Sequence, residues 1–194
     1  MALRPARPLP AARRRSTTKQ LGKHKGNHED GPNRKAYHVA YDDTKVGDAD
    51  KLLELRGDPA CVAQPDLAAA PCRLAPPGLP AAFYKAEWDV ILVDAPTGYA
   101  PWSPGRMGAI YAAGMAARAR RPGATTDVLV HDVDRPVEDR FSRAFLCEAY
   151  MVEQVGELRH FAVPSHRGRD AVPSHRGRDA VPPFCPHDED TANA

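Results

Sequence analysis

Two aspartates stand where a sheet would deliver them to a ligand. Asp94 closes the run Trp88–Asp94 (WDVILVD), and Asp132 follows His131 in Thr126–Val133 (TDVLVHDV). At the end of a strand such a carboxylate can take a proton from a hydroxyl as general base, or hold a metal ion. His131 adds an imidazole, the side chain suited to trading protons near neutrality. The competing reading makes one aspartate a cap of the following helix or turn and leaves His131 pointing into the sheet. Adjacent strand residues face opposite sides, so His131 and Asp132 share one site only if the strand has already ended. Between the two runs lies Pro96–Gly108 (PTGYAPWSPGRMG), with the glycine, proline and aromatic content of a loop that shapes a substrate pocket on a rigid scaffold. In it, Arg106 offers a planar fork for a carboxylate. Tyr99 and Trp102 offer faces for a sugar ring, with packing inside the loop as the alternative.

These residues need elements to hold them. Four consecutive β-branched or leucine residues bounded by acids predict a strand at Trp88–Asp94 buried on both faces, as central parallel strands are. Gly108–Arg121 (GAIYAAGMAARARR) predicts a helix with Ile110, Met115 and several alanines toward a core, and with arginines, Arg118 on the helix surface among them, suiting the C-terminal dipole. Thr126–Val133 repeats the strand pattern. Pro136–Met151 predicts a helix with Pro near its start, acids in its first turn, and Phe141, Phe145, Leu146 and Tyr150 at helical spacing. Glu157–Val163 alternates as an edge or hairpin strand. Upstream, Ala36–Tyr41 reads as a short strand and Asp48–Leu55 as a helix capped by Asp48. A Pro-rich loop covers Pro59–Pro80. Strand and helix in alternation predict a parallel three-layer α/β sheet, whose ligand crevice lies beyond the carboxyl ends of the strands.

The chain of 194 residues suffices for one domain with tails. The boundaries expected are a basic tail over 1–35, a domain over 36–165 and a second tail over 166–194, both tails disordered. Eight Lys or Arg and no acid fall between Met1 and His28, yet 27 basic residues nearly match 25 acidic ones overall, which argues against a nucleic-acid surface. No apolar window reaches the length of a membrane span, and no apolar segment follows Arg13–Arg15 to make a secretory signal. Cys61, Cys72, Cys147 and Cys185 lack CxxC spacing, so no zinc ribbon is expected and no metal site is assigned. Cys61 and Cys72 flank the Pro-rich loop as a disulfide or as two free thiols. Finally, AVPSHRGRD at Ala162–Asp170 recurs unchanged at Ala171–Asp179, too short for a solenoid unit and read as a duplication in a solvated tail.

Four ordered blocks carry a resemblance: WDVILVDAPTGY, PGRMGAIYAAGMAARAR, TDVLVHDVDRPVEDRFSRAFLCEAYM and GELRHFAVPS. Across Tyr37–Ser165 the chain resembles the plant polysaccharide-biosynthesis family that contains the glucuronoxylan 4-O-methyltransferases and the irregular-xylem proteins. The resemblance implies a Rossmann-like fold of the S-adenosylmethionine-dependent methyltransferase type, incomplete at the N-terminus. It implies a Golgi setting in xylan biosynthesis, glucuronoxylan or its glucuronosyl side chains as substrate, and xylan synthase components as partners. Carried over residue by residue, it puts Asp94 and Asp132 on the site rim and Arg106 in the loop. The family pattern begins with a membrane anchor, a strand with a Gly-rich donor loop and an acidic strand end. Before Tyr37 this chain shows only a basic tail and NHEDGPN, so the chain alone is expected not to bind S-adenosylmethionine appreciably. A non-catalytic xylan-assembly factor is the other function expected.

Overall fold

The computed structural model describes residues 37–41, 43–62, 71–167 and 184–186. Four strands, Val90–Val93 (β1), Thr125–Val130 (β2), Met151–Val155 (β3) and Leu158–Pro164 (β4), form one sheet in the order β1, β2, β4, β3. β1 and β2 are parallel, with Val90 opposite Asp127 and Val93 opposite Val130. β4 runs antiparallel to β2, and β3 antiparallel to β4. The expected α/β class holds, but only one strand pair is parallel. The parallel pair alone needs a crossover, which the helix Met107–Arg118 supplies, whereas β3 and β4 are neighbours joined by a tight turn at Gly156, whose φ is +58°.

Shorter helices complete the chain: Ala49–Glu54 (α1), Pro59–Val62 (α2), Ala81–Lys85 (α3), Met107–Arg118 (α4) and Pro136–Ser142 (α5). In α4 every residue except Ala109 is buried, the mark of a helix inside a core. Its small residues let other backbone lie close. A Cβ on Gly114 would sit 2.8 Å from the Phe145 carbonyl oxygen. Phe141, Phe145 and Leu146 pack with α4 against Val128, Val130, Phe161 and Val163 of the sheet. Burial alternates along the strands: Thr126, Val128 and Val130 of β2 and Arg159, Phe161 and Val163 of β4 are covered, while their neighbours are partly open. Among the described residues, then, one face of the sheet is packed and the arrangement has two layers, not the three expected.

Other expectations change for the same reason. β1 is an outer strand with Leu92 51% exposed, because α4 covers only the Ile91 and Val93 side. Residues 37–41 are coil rather than the expected strand, and Ala36 lies outside the described residues. The helix expected to reach Met151 ends as a π turn over Arg143–Cys147 and a 3-10 turn over Glu148–Tyr150, so Met151 begins β3. Arg118 is buried, not on the surface. Asp48 precedes α1 without a side-chain capping bond. Both disulfides form, Cys61 with Cys72 and Cys147 with Cys185. The tail 1–35 lies outside the described residues, as does most of 166–194. Residues 184–186 do not behave as tail: the Phe184 ring is buried between the guanidinium groups of Arg56 and Arg118, at 4.4 and 3.8 Å.

Candidate active site

The parallel pair brings the ends of β1 and β2 side by side, and the residues that follow them meet. β2 stops at Val130, and the backbone turns at once, since Asp132 has φ +60°. His131 and Asp132 are therefore beyond the strand and share one rim. The His131 amide still donates to the Val93 carbonyl at 3.0 Å, which fixes the rim's width. Left-handed φ in a non-glycine residue costs about 1–3 kcal/mol and is held by surrounding contacts.

Those contacts belong to Asp132. Its carboxylate pairs with Arg106 and lies 2.8 Å from Arg135 Nη1 and 2.9 Å from His131 Nδ1. Burial pushes the Asp132 carboxyl up, but the Arg106 and Arg135 guanidinium groups outweigh it and hold the carboxyl below its ordinary value. Asp132 is thus a weak base and a strong anchor. Arg106 is equally committed: it donates to the His131 carbonyl at 2.5 Å and the Pro96 carbonyl at 3.3 Å, and reaches Asp94 at 3.4 Å. With a side chain only 6% exposed, the carboxylate it grips is the protein's own. The sequence reading had Arg106 as a ligand's clamp in the loop; in the structure its guanidinium is buried against Asp132.

Asp94 and His131 are the open members. Their side chains are 59% and 42% exposed, and Asp94 Oδ1 lies 3.5 Å from His131 Nδ1. Tyr99 and Trp102 are each 75% exposed on the loop between β1 and α4, so they do not pack inside it. That loop is fastened from within by Gly105 N–H to the Thr97 carbonyl at 3.0 Å, and from outside by Val46 and Gly47 amides to the carbonyls of Ser103 and Pro101. Ligand atoms of Asp94, His131 and Asp132 lie within 4.8 Å of one another, a donor set of the type that holds a divalent cation.

Sequence reasoning missed two groups here. Arg135, a third exposed, follows HDVD directly and could have been read as Asp132's partner. Glu138 is fully buried in the first turn of α5, its carboxylate meeting no donor from another residue among the described ones. Burial raises its carboxyl, against the pull of its own backbone amide, Arg106 and Arg135. Nothing in the helical pattern of the sequence marked it.

Comparison with known proteins follows from this geometry. The family model described as IRX15/IRX15L/GXM matches residues 19–161. Glucuronoxylan 4-O-methyltransferase 2 of Arabidopsis thaliana is 53% identical over 157 residues, covering 81% of this chain and 50% of the relative. Arabinogalactan O-methyltransferase 2 of the same plant is 45% identical over 71% of this chain and 48% of its own length. Protein IRREGULAR XYLEM 15, also from that plant, is 36% identical over 62% of this chain and 38% of its own length. The chain spans about half the length of the curated relatives it matches. No solved structure matches it.

Proposed function

Because the chain belongs to the IRX15/IRX15L/GXM family, we propose that it carries the acceptor side of glucuronoxylan 4-O-methylation, on a Rossmann-like methyltransferase fold working in the Golgi. The observation that carries this reading is Asp94: an open carboxylate beside His131, on a rim locked by the Arg106–Asp132 pair. Identity supports the methyltransferase branch over the irregular-xylem branch, at 53% against 36%.

Asp94 is the open carboxylate able to take the proton of a sugar hydroxyl, and His131 is the next group able to pass that proton to solvent. Asp132 and Arg106 do not touch the substrate; they keep the two strand ends in register. Tyr99 and Trp102 offer ring faces to the sugar, and Arg135, the rim's partly open cation, is placed to meet the uronate carboxylate. The described residues do not fit the family's methyl donor, S-adenosylmethionine. A donor needs bare backbone at a glycine turn, and both rim glycines are filled by the protein itself: a Cβ on Gly98 would meet Glu138 Oε1 at 2.4 Å, and one on Gly105 would meet Met107 Cε at 2.7 Å. Calorimetric titration of this chain with S-adenosylmethionine is expected to show no micromolar binding, and such binding would overturn that assignment.

The same filled glycines favour a second reading, a non-catalytic assembly factor that binds glucuronoxylan or a xylan synthase component. The two separate on one variant. In a chimera that joins this chain to the N-terminal part of a glucuronoxylan 4-O-methyltransferase relative, Asp94→Asn should keep the fold and lower methyl transfer to glucuronoxylan by roughly 10²- to 10⁴-fold. An intact rate in the folded variant removes Asp94 as the base.

A further inference from the structure

The two disulfides differ in what surrounds their sulfurs. Cys61–Cys72 has both residues buried, at 1% and 5% exposure, so neither sulfur is within easy reach of a thiol in solution. Cys147–Cys185 is one-sided: Cys147 is 1% exposed, whereas Cys185 is partly open. The buried sulfur is also the one beside a cation. Arg118 Nη2 lies 3.0 Å from Cys147 Sγ, and Nη1 of the same guanidinium is fixed by the Gly114 and Phe145 carbonyls at 3.0 and 2.9 Å. A guanidinium so placed does little for a disulfide and much for a thiolate, because only the thiolate carries a charge.

The backbone adds to the difference. Cys147 ends the π turn with φ +74°, a left-handed conformation that strains a non-glycine residue and persists where surrounding contacts hold it. The bond to Cys185 is one of those contacts, so opening it lets the backbone relax. On its other side the bond fastens a short strap. Phe184 is buried against Arg56 and Arg118 and meets the Phe145 ring edge-on, with centroids 6.3 Å apart. Its carbonyl accepts from Arg118 Nη2 at 3.3 Å, the same nitrogen that faces Cys147 Sγ. A thiolate on Cys147 would therefore compete with the strap for one donor.

We propose that Cys147–Cys185 is a thiol–disulfide exchange site, in which a thiol reductant attacks the Cys185 sulfur and Cys147 is the sulfur that leaves. The reductant's thiolate forms a bond to Cys185 Sγ as the Cys147–Cys185 bond breaks, and the electron pair departs on Cys147 Sγ as a thiolate beside Arg118. A second thiolate attacks the reductant's sulfur in the mixed disulfide. Cys185 then leaves as a thiolate and takes a proton from water. The reductant is oxidised to its disulfide, the protein's bond is reduced, and Cys61–Cys72 stays closed. Access selects the sulfur attacked, and the stability of the departing thiolate sets the rate.

The full oxidised chain is treated with reduced glutathione, quenched with acid at early times, and mapped by peptide mass spectrometry. Glutathione should be found on Cys185, with Cys147 released and Cys61–Cys72 intact. Glutathione on Cys147, opening of Cys61–Cys72 at the same or a lower concentration, or no reaction at either bond overturns the proposal. Arg118→Met should slow the step several-fold, and Arg118→Lys, which keeps a cation there, should recover most of the rate. Equal rates in the two folded variants, or no slowing in Arg118→Met, overturn the role of the cation. Should Arg118→Met fail to fold, Cys185→Ser decides, since it leaves Cys147 as a single thiol beside an unaltered Arg118. Alkylation of that thiol by iodoacetamide should titrate below the ordinary thiol value of about 8.5, and a midpoint at or above it overturns the proposal.

Discussion

Helix α4 has a buried arginine at each end, and the two are treated differently. Arg106, just ahead of the helix, and Arg118, at its last residue, are each 5% exposed. Arg106 faces carboxylates: Asp132, which is buried with it, and Asp94, which is open. Among the described residues, Arg118 donates to the carbonyls of Gly114, Phe145 and Phe184 and lies 3.8 Å from the centre of the Phe184 ring. Charge paired with charge leaves a titrating, polar rim beside open groups. Charge spread over carbonyls and a ring leaves a clamp, here joining the helix, the π turn and the Phe184–Cys185 segment that the Cys147–Cys185 disulfide also holds. One end of the helix is suited to chemistry and the other to scaffolding, and burial alone does not tell them apart.

Removing the charges should separate the ends most sharply. Arg106→Met takes the buried guanidinium from Asp132 and leaves it the partly open Arg135, so the loss should approach that of breaking a buried pair from one side, about 3–5 kcal/mol. Denaturant unfolding should show that loss, and a loss under about 1 kcal/mol would mean that Asp132 is solvated well enough to stand alone. Among the described residues, Arg118→Met leaves carbonyls short of a donor and strands no carboxylate, so the expected loss is smaller, about 1–3 kcal/mol. Should Arg118→Met prove the costlier of the two, the distinction drawn between the ends fails.

The sequence carried the strands of the parallel pair because VILV and VLV are short unbroken apolar runs, the first followed by Asp94 and the second by His131 and Asp132. Asp94, His131 and Asp132 were readable as a rim for that reason. β3 was not readable. Met151–Val155 is exposed along its whole length, so no buried face imprints a pattern, and the helical spacing of Phe141, Phe145 and Tyr150 runs straight into it. The π turn at Arg143–Cys147 breaks that helix without a proline or glycine inside it. Arg106 read as a loop cation for a ligand's carboxylate and Arg118 as a surface cation at the helix C-terminal end; the burial of Arg106 against an acid of the chain depends on the turn at Asp132, 26 residues away. The Cys147–Cys185 pair spans 38 residues, a separation that spacing cannot assign.

The smallest effect expected is on the pH dependence of stability, and it tests the same contrast. At the Arg106 end two acids are shifted in opposite directions. Asp132 is held below its ordinary value, so the stability it contributes is present above the ordinary carboxylate range and is lost as pH falls through its folded value. Glu138, which shares the neighbourhood of Arg106, Arg135 and Asp132, is raised by burial. Its contribution is therefore complete below its unfolded value and is lost as pH climbs through its raised folded value. Glu138→Gln keeps the shape against Gly98 and removes the proton, so the denaturant midpoint should stop falling on the rising side while the acid loss remains. Asp132→Asn should flatten the acid side instead. Arg118→Met should lower the whole curve and leave its shape unchanged, since the described carbonyls and ring it meets do not titrate. If the Glu138→Gln curve runs parallel to that of the unmodified chain across the carboxylate range and above it, the buried acid is ionising with the help of a donor, and the Arg106 end is less dry than its burial implies.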